Sequence, residues 1–360
     1  MVILLLRNGL PPACADAQAV VASAMAIGAR AEVHLAPRGA AWVTEVHLTS
    51  AIGEPAVAAL RALPAVEQVV EVRQPYRVVG RHRAMPRLAF EYQGLGFGGG
   101  DLVVAAALAA RATDGVDALI ARVAALATQG ARAVHLRRRS ELYAPPDFEM
   151  ACLPSLLQAA ARAGVRALVV EVETADDIER AQQALAREDR CGLVLSIGVH
   201  QAQDFRLLEA AGRQREMPVM CRRGAAMSLD EALHACEYVA AAGQLRALLV
   251  LAGVRSSATA GEVLSDAGQI PAARAATRLP IAVEPPDAPS AGDDLPSAYH
   301  LVAQAAIAGA DVILAPPVAD FGRLMRDVAV VRAAWHERML ELRGDGAEED
   351  PLCCPVERGP

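Results

Sequence analysis

The 360-residue sequence contains no lysine, so arginine supplies every basic charge apart from histidine. This absence excludes Schiff-base chemistry through a lysine amine, and it excludes lysine as a general acid or base. Arginine stays protonated in proteins and binds carboxylate and phosphate oxygens through a planar fork of N–H donors. A positively charged site in this protein is therefore suited to holding anions.

Long apolar runs and paired cysteine motifs are also missing. No apolar stretch reaches the roughly 18 residues that a membrane span requires, and the opening "MVILLLRNGLPP" lacks the basic start of a signal peptide. The seven cysteines are scattered without a C-x-x-C pair, as is typical of a reduced cytosolic protein. The net charge of −7 disfavours nucleic acid as a partner. We expect a soluble, cytoplasmic protein with no membrane or nucleic-acid partner.

A small domain and a connector precede the central part of the chain, and a polar tail follows it. Residues 1–75 alternate as strand, helix, strand, strand, helix, strand, which predicts a small ferredoxin-like α+β domain. Residues 76–101 form a connector with the hairpin-like stretch "LAFEYQGLGFGGG", whose glycines match no phosphate-loop pattern. The polar tail 343–360, which carries Cys353 and Cys354, is predicted to be disordered.

The central part, residues 102–342, repeats short apolar runs and amphipathic helices. Eight candidate strands occur there: "LVVAAA", "AVHL", "ALVVEV", "LVLSIG", "PVMC", "ALLVLA", "PIAVE" and "VILA". Ser228 and Glu231 have the spacing of a capping box and predict the start of one of the helices. These β/α units predict an α/β fold, a closed (β/α)8 TIM barrel. An open doubly wound sheet is the alternative, although no G-x-G-x-x-G opens its first unit.

Functional side chains of such barrels lie at the C-terminal ends of the strands. The polar residues at these positions are His135, Arg137, Arg138, Arg139, Glu171, Glu173, His200, Gln201, Arg222, Arg223, Arg255, Glu284 and Asp287. The arginines favour a phosphorylated or carboxylated small molecule, and the candidate ligand-binding residues are Arg222, Arg223, Arg255 and His200. Alternatively, the arginines pair with the carboxylates as a structural network.

Four of these residues are candidates for proton transfer: His135, Glu171, His200 and Asp287. Plausible metal ligands are limited to His200, Glu284 and Asp287, and no local spacing links them. We therefore predict neither a metal site nor a cofactor.

Several blocks in order along the chain resemble one enzyme family. "IGVHQAQDFRLLEAAG" is similar to an I-G-A-R-N-x-Q-N-F-x-L-L block, "MPVMCRRG" to K-P-V-x-x-K-R-G, and "LPIAVEPPDAPSAG" to L-P-I-x-x-D-P-S-H-S-x-G. With the lead-in "VEQVVEVRQPYRVVGR", they resemble type I DAHP synthases that carry an N-terminal ferredoxin-like regulatory domain. Those enzymes condense phosphoenolpyruvate with erythrose 4-phosphate at a metal ion. The resemblance also implies a homo-oligomer.

The resemblance places other residues at the family's metal ligands. Ala109 falls at the cysteine ligand, Asp287 at the histidine ligand and Ala315 at the glutamate ligand, while the segment that would supply the aspartate ligand is missing. All four ligand positions are therefore expected to have changed.

The substrate motifs differ as well. Ser140 falls at the catalytic lysine, and His200, Arg222 and Ala252 replace an arginine, a lysine and an arginine respectively. Arg223 and Arg255 match arginines of the family. The resemblance thus implies that the parental reaction has been lost.

Three functions follow from these observations. The preferred one is a non-catalytic relative that acts as a regulatory or scaffolding protein partner of an active biosynthetic enzyme in shikimate, aromatic or derived specialised metabolism. The alternative is a repurposed, metal-independent enzyme acting on a phosphorylated or carboxylated small molecule at the arginine-rich mouth. A weaker alternative is a metabolite sensor.

Overall fold

Two β-sheets organise the chain in the computed structural model, which describes residues 1–82, 85–108, 115–137, 150–186, 189–255, 263–286 and 297–343. One is an open sheet of six strands, and the other is a closed barrel of eight strands. Some residues singled out in the sequence lie outside the described residues: Ala109, Arg138, Arg139, Ser140, Asp287 and the tail from residue 344 that contains Cys353 and Cys354. Within these ranges, no helix has the length and apolar character needed to cross a membrane.

The N-terminal elements form an antiparallel sheet with two helices on one side. In chain order they are β1 (Val2–Leu6), α1 (Ala15–Ala26), β2 (Ala31–Gly39), β3 (Ala41–Leu48), α2 (Glu54–Arg61) and β4 (Val66–Glu71). The strands are ordered β4-β1-β3-β2, and the predicted βαββαβ sequence of elements is observed. Leu4 and Val46 on the sheet pack in one core with Val20 and Leu60 of the helices. The domain boundaries drawn from the sequence remain predictions.

A hairpin joins this sheet to the barrel. It consists of β5 (Ala89–Tyr92) and β6 (Leu95–Phe97), and β5 runs parallel to β2 at its edge. The rings of Phe90 and Phe97 stack with centroids 4.9 Å apart. Both rings belong to the core that fills the barrel interior, together with Val103 and Leu248. The stretch predicted only as a connector and hairpin therefore helps to fill the barrel.

The barrel is closed and parallel, so the predicted (β/α)8 architecture is confirmed and the open doubly wound alternative is wrong. Its strands, in spatial order, are β10 (Gly192–Ile197), β11 (Val219–Arg222), β12 (Ala247–Leu251), β15 (Ile281–Val283), β16 (Val312–Leu314), β7 (Val103–Leu108), β8 (Ala133–Leu136) and β9 (Ala167–Val172). A small hairpin, β13 (Val254–Arg255) and β14 (Val263–Leu264), follows β12. The helices are α3 (Val116–Thr128), α4 (Leu153–Arg162), α5 (Ala175–Leu185), α6 (Phe205–Arg213), α7 (Leu229–Ala241), α8 (Ile270–Ala276), α9 (Ser297–Ile307) and α10 (Phe321–Arg343).

Alternation along the barrel strands positions the candidate site. Successive side chains of a strand point to opposite faces, so residues two apart share the interior. Interior positions include Ala133, Val169, Val194, Met220 and Ala282. The next interior position toward the C-terminal end of each of these strands is polar: His135, Glu171, Ser196, Arg222 and Glu284. The alternation therefore directs five polar side chains into one end of the barrel.

An ion pair buried between the sheet and the barrel holds the two parts together. Arg278, which lies just before β15, donates to both carboxylate oxygens of Glu45 on β3 at 2.7 and 2.8 Å. Neither side chain is exposed. Arg278 also donates to the carbonyl of Val78, while Glu237 on α7 accepts hydrogen bonds from the backbone N–H groups of residues 77–79. The connector is thus bonded to the barrel along its backbone.

Candidate binding site at the barrel mouth

Arg222, the last residue of β11, is the centre of the polar cluster at the mouth. Its Nη1 donates to Glu171 Oε2 at 2.8 Å, and its Nη2 lies 2.8 Å from His135 Nε2. Its Nε lies 3.0 Å from Glu284 Oε2, although the angle is too poor for a hydrogen bond. Arg137 joins the cluster through its Nε, 3.5 Å from Glu284 Oε1. Strands β8 and β9 and the residue that follows β15 therefore each contribute a partner to one guanidinium.

Local sequence explains why Arg222 and Glu171 lie where they do. The apolar run of β11 ends at Arg222, and the capping box predicted at Ser228 and Glu231 is present at the start of α7. Gly198, just after β10, leaves room for the carboxylate of Glu171, since a Cβ there would lie 2.1 Å from Glu171 Oε1. A residue with a side chain at 198 would displace that carboxylate.

The hydrogen bond from Arg222 determines the tautomer of His135. A guanidinium only donates, so Nε2 of His135 accepts and the ring proton lies on Nδ1. Burial, the Arg222 charge and the Arg137 charge together lower the pKa of His135 well below its ordinary value. Nδ1 of His135 and Oγ of Ser196 are buried and make no hydrogen bond within the described chain. His135 is therefore a neutral acceptor at physiological pH.

The buried carboxylates and arginines of the mouth shift each other's pKa values. Burial raises the pKa of Glu171, with a further contribution from Glu284, against the opposing effect of Arg222. Burial disfavours the charged form of Arg222, but Glu284 and Glu171 raise its pKa overall. With Arg137, the cluster contains two guanidinium and two carboxylate groups. Among the described residues of the cluster, the two positive charges are balanced by two negative charges when both carboxylates are ionised.

Arg223, the next residue, forms its own ion pair with Asp266. Its Nη2 lies 2.9 Å from Asp266 Oδ2 in a buried ion pair, and its Nη1 donates to the carbonyl of Met227. Asp266 also accepts a hydrogen bond from the backbone N–H of Gly253. Burial raises the pKa of Asp266, while Arg223 opposes this effect. Arg223 thus links the start of α7 to the segment that follows β12.

The other predicted site residues are not brought into these clusters. His200 and Arg255 are both exposed, and within the described ranges no hydrogen bond or ion pair joins them to Arg222. Asp287 lies outside the described residues. Ligand binding by Arg222, Arg223, Arg255 and His200, and catalysis by His135, Glu171, His200 and Asp287, therefore stay predictions.

Of the metal-ligand positions that the resemblance implies, only residue 315 lies among the described residues. Ala315, which the resemblance places at the glutamate ligand, is buried and offers only a methyl group. Among the described residues, no three His, Cys, Asp or Glu side chains converge so that they could hold a metal ion.

Sequence reasoning missed Asp266 and Ser196 as members of the site. Asp266 is 43 positions from Arg223 and follows no strand end, so no local pattern identifies it. Ser196 could have been found from the alternation of "LVLSIG", which places it inward two residues after Val194.

The fold and the mouth define a (β/α)8 barrel protein with an N-terminal antiparallel sheet domain. Comparison with known proteins supports the resemblance to DAHP synthases. The chain is 26% identical over 227 residues to phospho-2-dehydro-3-deoxyheptonate aldolase of Thermotoga maritima, a match that covers 62% of this chain and 64% of the relative. The matched region therefore spans less than two thirds of the length of that relative. No protein-family model matches the chain.

Solved structures agree in fold. The crystal structure of DAHP synthase from Thermotoga maritima matches with a TM-score of 0.59 and 21% identity, covering 95% of this chain and 97% of that one. A truncated form of the same enzyme matches with a TM-score of 0.53 and 22% identity, covering 74% of this chain and 96% of that one. The first match includes the N-terminal sheet as well as the barrel, since it covers nearly the whole chain.

Proposed function

We propose that this protein is a DAHP synthase relative that does not catalyse the family's reaction and acts as a regulatory or scaffolding partner of an active enzyme. The observation that carries the proposal is the pairing of Arg222. Its guanidinium is bound to Glu171, Glu284 and His135 of the same chain. A substrate phosphate or carboxylate would have to displace two buried carboxylates before it could bind.

The residues at the family's catalytic positions support the same proposal. The resemblance places Ser140 at the catalytic lysine and Ala315 at a metal ligand. Losing one positioned acid or base typically costs about 10²–10⁴-fold in rate, and losing a metal that polarises a carbonyl costs several kcal/mol more. These losses overlap instead of adding, but together they leave no useful parental rate.

The first test is an assay of the purified full-length chain with phosphoenolpyruvate and erythrose 4-phosphate, with and without Mn²⁺. The DAHP synthase of Thermotoga maritima serves as the positive control. We expect turnover at least about 10⁴-fold below that control. Turnover within about 100-fold of the control would overturn the non-catalytic proposal.

The second test addresses partnership. The chain is titrated into a catalytically competent DAHP synthase from the same cells, and the rate and feedback response of that enzyme are measured. A saturable change in either quantity, together with co-elution of the two proteins, supports the proposal. A chain that neither co-elutes with nor alters this enzyme or other enzymes of the same pathway contradicts it.

One observation favours a repurposed enzyme as a second candidate. Glu171, whose pKa is raised, and His135, whose pKa is lowered, contact the same guanidinium. Pairs of titratable groups whose pKa values are pushed in opposite directions are common in acid–base sites. The test is to incubate the chain with phosphorylated and carboxylated sugars and follow products by mass spectrometry. Product that disappears in Glu171→Gln would favour this candidate, and no product from any substrate would count against it.

A further inference from the structure

Five arginines lie at the N-terminal end of the barrel, opposite the mouth. Each lies in the short segment that leads into one of five neighbouring strands, β8 to β12: Arg132, Arg166, Arg190, Arg215 and Arg246. We call this set the arginine face. Neighbouring strands lie about 4.8 Å apart, so the five strand starts span about 19 Å. The contact of the N-terminal sheet with Arg278 lies outside this arc, just before β15.

Backbone pairing places these arginines beside one another. The N–H of Arg166 donates to the carbonyl of Arg132 at 2.7 Å. Arg190 lies two residues before β10, the strand that pairs with β9. At the other end of the arc, the guanidinium of Arg246 donates to the backbone carbonyl of Arg215. The arginine face is therefore a continuous surface and not a set of scattered charges.

The turn of the β5–β6 hairpin borders the arginine face. Arg132 Nη2 donates to the carbonyl of Gly94 in this turn at 3.2 Å. The guanidinium of Arg246 lies over the ring of Tyr92, 5.5 Å from its centroid. The hydroxyl of Tyr92 accepts a hydrogen bond from the backbone N–H of Leu193 at 3.0 Å. The only aromatic ring that the structure describes in this turn is thus held in place and already contacts a cation.

No carboxylate of the described chain neutralises the arginine face. None of its five arginines forms an ion pair with a described residue, although Asp189 and Glu216 lie in the same segments. Nε and Nη1 of Arg190 are buried and have no hydrogen-bond partner. A buried donor without a partner costs free energy, and this cost is larger for a charged group. The arginine face therefore has unused capacity to bind negatively charged groups.

The length of the arginine face fits an extended chain of carboxylates. A small molecule with one anionic group is much shorter than this arc and would leave most of the guanidinium groups unpaired. An extended peptide rises about 3.3 Å per residue, so about six residues span the arc. Alternate side chains of such a peptide point to the same side and would lie about 6.6 Å apart. Several carboxylates of one segment can therefore pair with different arginines.

Two observations favour a peptide over a single-stranded nucleic acid. Proteins that bind single strands stack the bases on aromatic rings in addition to contacting the phosphates. The ring of Tyr92 is occupied by Arg246 and is only partly exposed. The net charge of −7 of the whole chain also repels a polyphosphate at long range.

We propose that the arginine face binds an extended acidic segment of a protein partner, about six residues long and rich in glutamate or aspartate. Its carboxylates pair with the exposed guanidinium groups of Arg132, Arg166 and Arg215 and with the unpartnered nitrogens of Arg190. A guanidinium binds a carboxylate through two parallel hydrogen bonds. This inference rests on the proposed function, because it names the surface through which the chain engages its protein partner.

The first test measures binding without any enzyme present. The purified full-length chain is titrated into a fluorescein-labelled peptide of about eight glutamates, and fluorescence anisotropy is recorded. A peptide of the same length made of glutamine is the neutral control. We expect saturable binding of the glutamate peptide alone, and weaker binding at about 200 mM than at about 50 mM NaCl, because salt screens exposed charges.

Variants locate the binding surface. Arg166→Gln combined with Arg190→Gln should weaken peptide binding roughly 10-fold, because each exposed ion pair accounts for a few-fold in affinity. Arg61→Gln combined with Arg206→Gln changes the net charge equally at exposed positions of α2 and α6 and should leave binding unchanged. Circular dichroism checks the fold of each variant.

A second pair of substitutions keeps the test decisive if the loss of Arg190 disturbs the fold. Arg132→Gln combined with Arg166→Gln then removes two exposed charges of the same face and should weaken binding to a similar extent. Equal weakening by this pair and by the control pair would show that binding follows net charge alone, and it would overturn the inference.

Three further outcomes would overturn it. The first is that the glutamate peptide does not bind saturably. The second is that an oligouridylate of about eight nucleotides binds more tightly than the peptide, which would indicate a nucleic-acid surface. The third concerns the chain's own acidic run at 348–350. If Glu348→Gln, Glu349→Gln and Asp350→Asn together strengthen peptide binding by about 10-fold or more, the tail and not a partner occupies the arginine face.

Co-elution separates this inference from the proposed function. Arg166→Gln combined with Arg190→Gln should weaken co-elution with the active DAHP synthase and reduce the effect on its rate. A variant that co-elutes with and alters that enzyme as the wild type does would overturn the inference and leave the proposed function standing. A wild-type chain that affects no enzyme contradicts the proposed function whatever the peptide result.

Discussion

Arg222 at the barrel mouth and Arg278 between the barrel and the N-terminal sheet are both buried arginines beside glutamates, but their electrostatic settings differ. Arg278 faces one carboxylate, Glu45, through two hydrogen bonds of 2.7 and 2.8 Å. Burial alone would raise the pKa of Glu45, yet the Arg278 charge and hydrogen bonds from His47 and Arg278 lower it to about 2. Glu45 therefore stays ionised, and the pair is matched one to one.

At the mouth, Arg222 is shared by two carboxylates and an imidazole. There the effect of burial exceeds that of the guanidinium, so the pKa of Glu171 is raised. A pair of matched buried charges is typical of structural contacts, whereas a cluster with opposed pKa shifts is typical of binding and catalytic sites. The interface therefore holds a carboxylate that is kept ionised, whereas the mouth holds a carboxylate whose ionisation is disfavoured.

The largest effect is expected from breaking the matched pair. Arg278→Met leaves Glu45 buried and charged without its partner, so the free energy of unfolding should fall by about 3–5 kcal/mol. Urea denaturation at pH 7.5 measures this change. The double variant Glu45→Gln with Arg278→Met should recover at least half of the loss, because no charge remains buried. If the free energy of unfolding of Arg278→Met falls by less than about 1 kcal/mol, the matched pair is not the more stabilising of the two arginine clusters.

The corresponding change at the mouth should be smaller and dependent on pH. Arg222→Met leaves Glu171 and Glu284 without their shared cation, and we expect a loss of about 2–3 kcal/mol at pH 7.5. Since the pKa of Glu171 is already raised, protonation of this carboxyl relieves the variant as pH falls. The loss measured at pH 5.5 should therefore be smaller than at pH 7.5. An equal loss at both pH values would show that Glu171 is as firmly ionised as Glu45.

A third change tests how closely the mouth is packed. Gly198→Ala places a methyl group 2.1 Å from Glu171 Oε1, so the carboxylate must move away from Arg222. Overpacking of this kind should lower the free energy of unfolding by about 1–2 kcal/mol. Gly268→Ala is a matched control, because a Cβ at Gly268 meets nothing within 4 Å. Thermal unfolding of the two variants side by side makes the measurement, and equal melting temperatures would contradict the predicted clash.

Local patterns predicted the parts of the fold that depend on short stretches. The alternation of apolar runs and amphipathic helices indicated the barrel, and the spacing of Ser228 and Glu231 indicated the start of α7. The expectation that arginines at the strand ends pair with glutamates is met by Arg222 with Glu171 and Glu284. These inferences succeeded because strand ends of a parallel barrel meet at one face.

Contacts between distant segments could not be predicted in the same way. Glu45 and Arg278 are 233 positions apart, and no local pattern marks either as a partner. The aromatic hairpin that helps to fill the barrel is recognisable as a hairpin, but its position depends on how the sheet docks. Pairing of Arg223 with Asp266 likewise depends on the path taken by the chain after β12. All three contacts depend on how distant segments pack together in the folded chain, and secondary-structure propensity does not determine them.

The smallest effect concerns the histidines beside the matched pair. Burial, followed by the neighbouring His47 and Arg77, lowers the pKa of His34 from 6.5 to about 3. The folded state therefore keeps His34 neutral while the unfolded chain protonates it, so stability is lost as pH falls from 6.5 toward 3. Between pH 7.5 and 5.5 this loss amounts to about 1.4 kcal/mol for one histidine.

His34→Gln removes that proton linkage. The difference in free energy of unfolding between wild type and variant should therefore shift by about 1.4 kcal/mol in favour of the variant on going from pH 7.5 to 5.5. His336→Gln, at an exposed position of α10, is the control and should track the wild type at both pH values. Parallel pH curves for wild type and His34→Gln would mean that His34 titrates normally in the folded protein. The interface between the sheet and the barrel would then accommodate a third charge beside Arg278 and Glu45. In that case the interface and the mouth would no longer differ in how strictly their charges are matched.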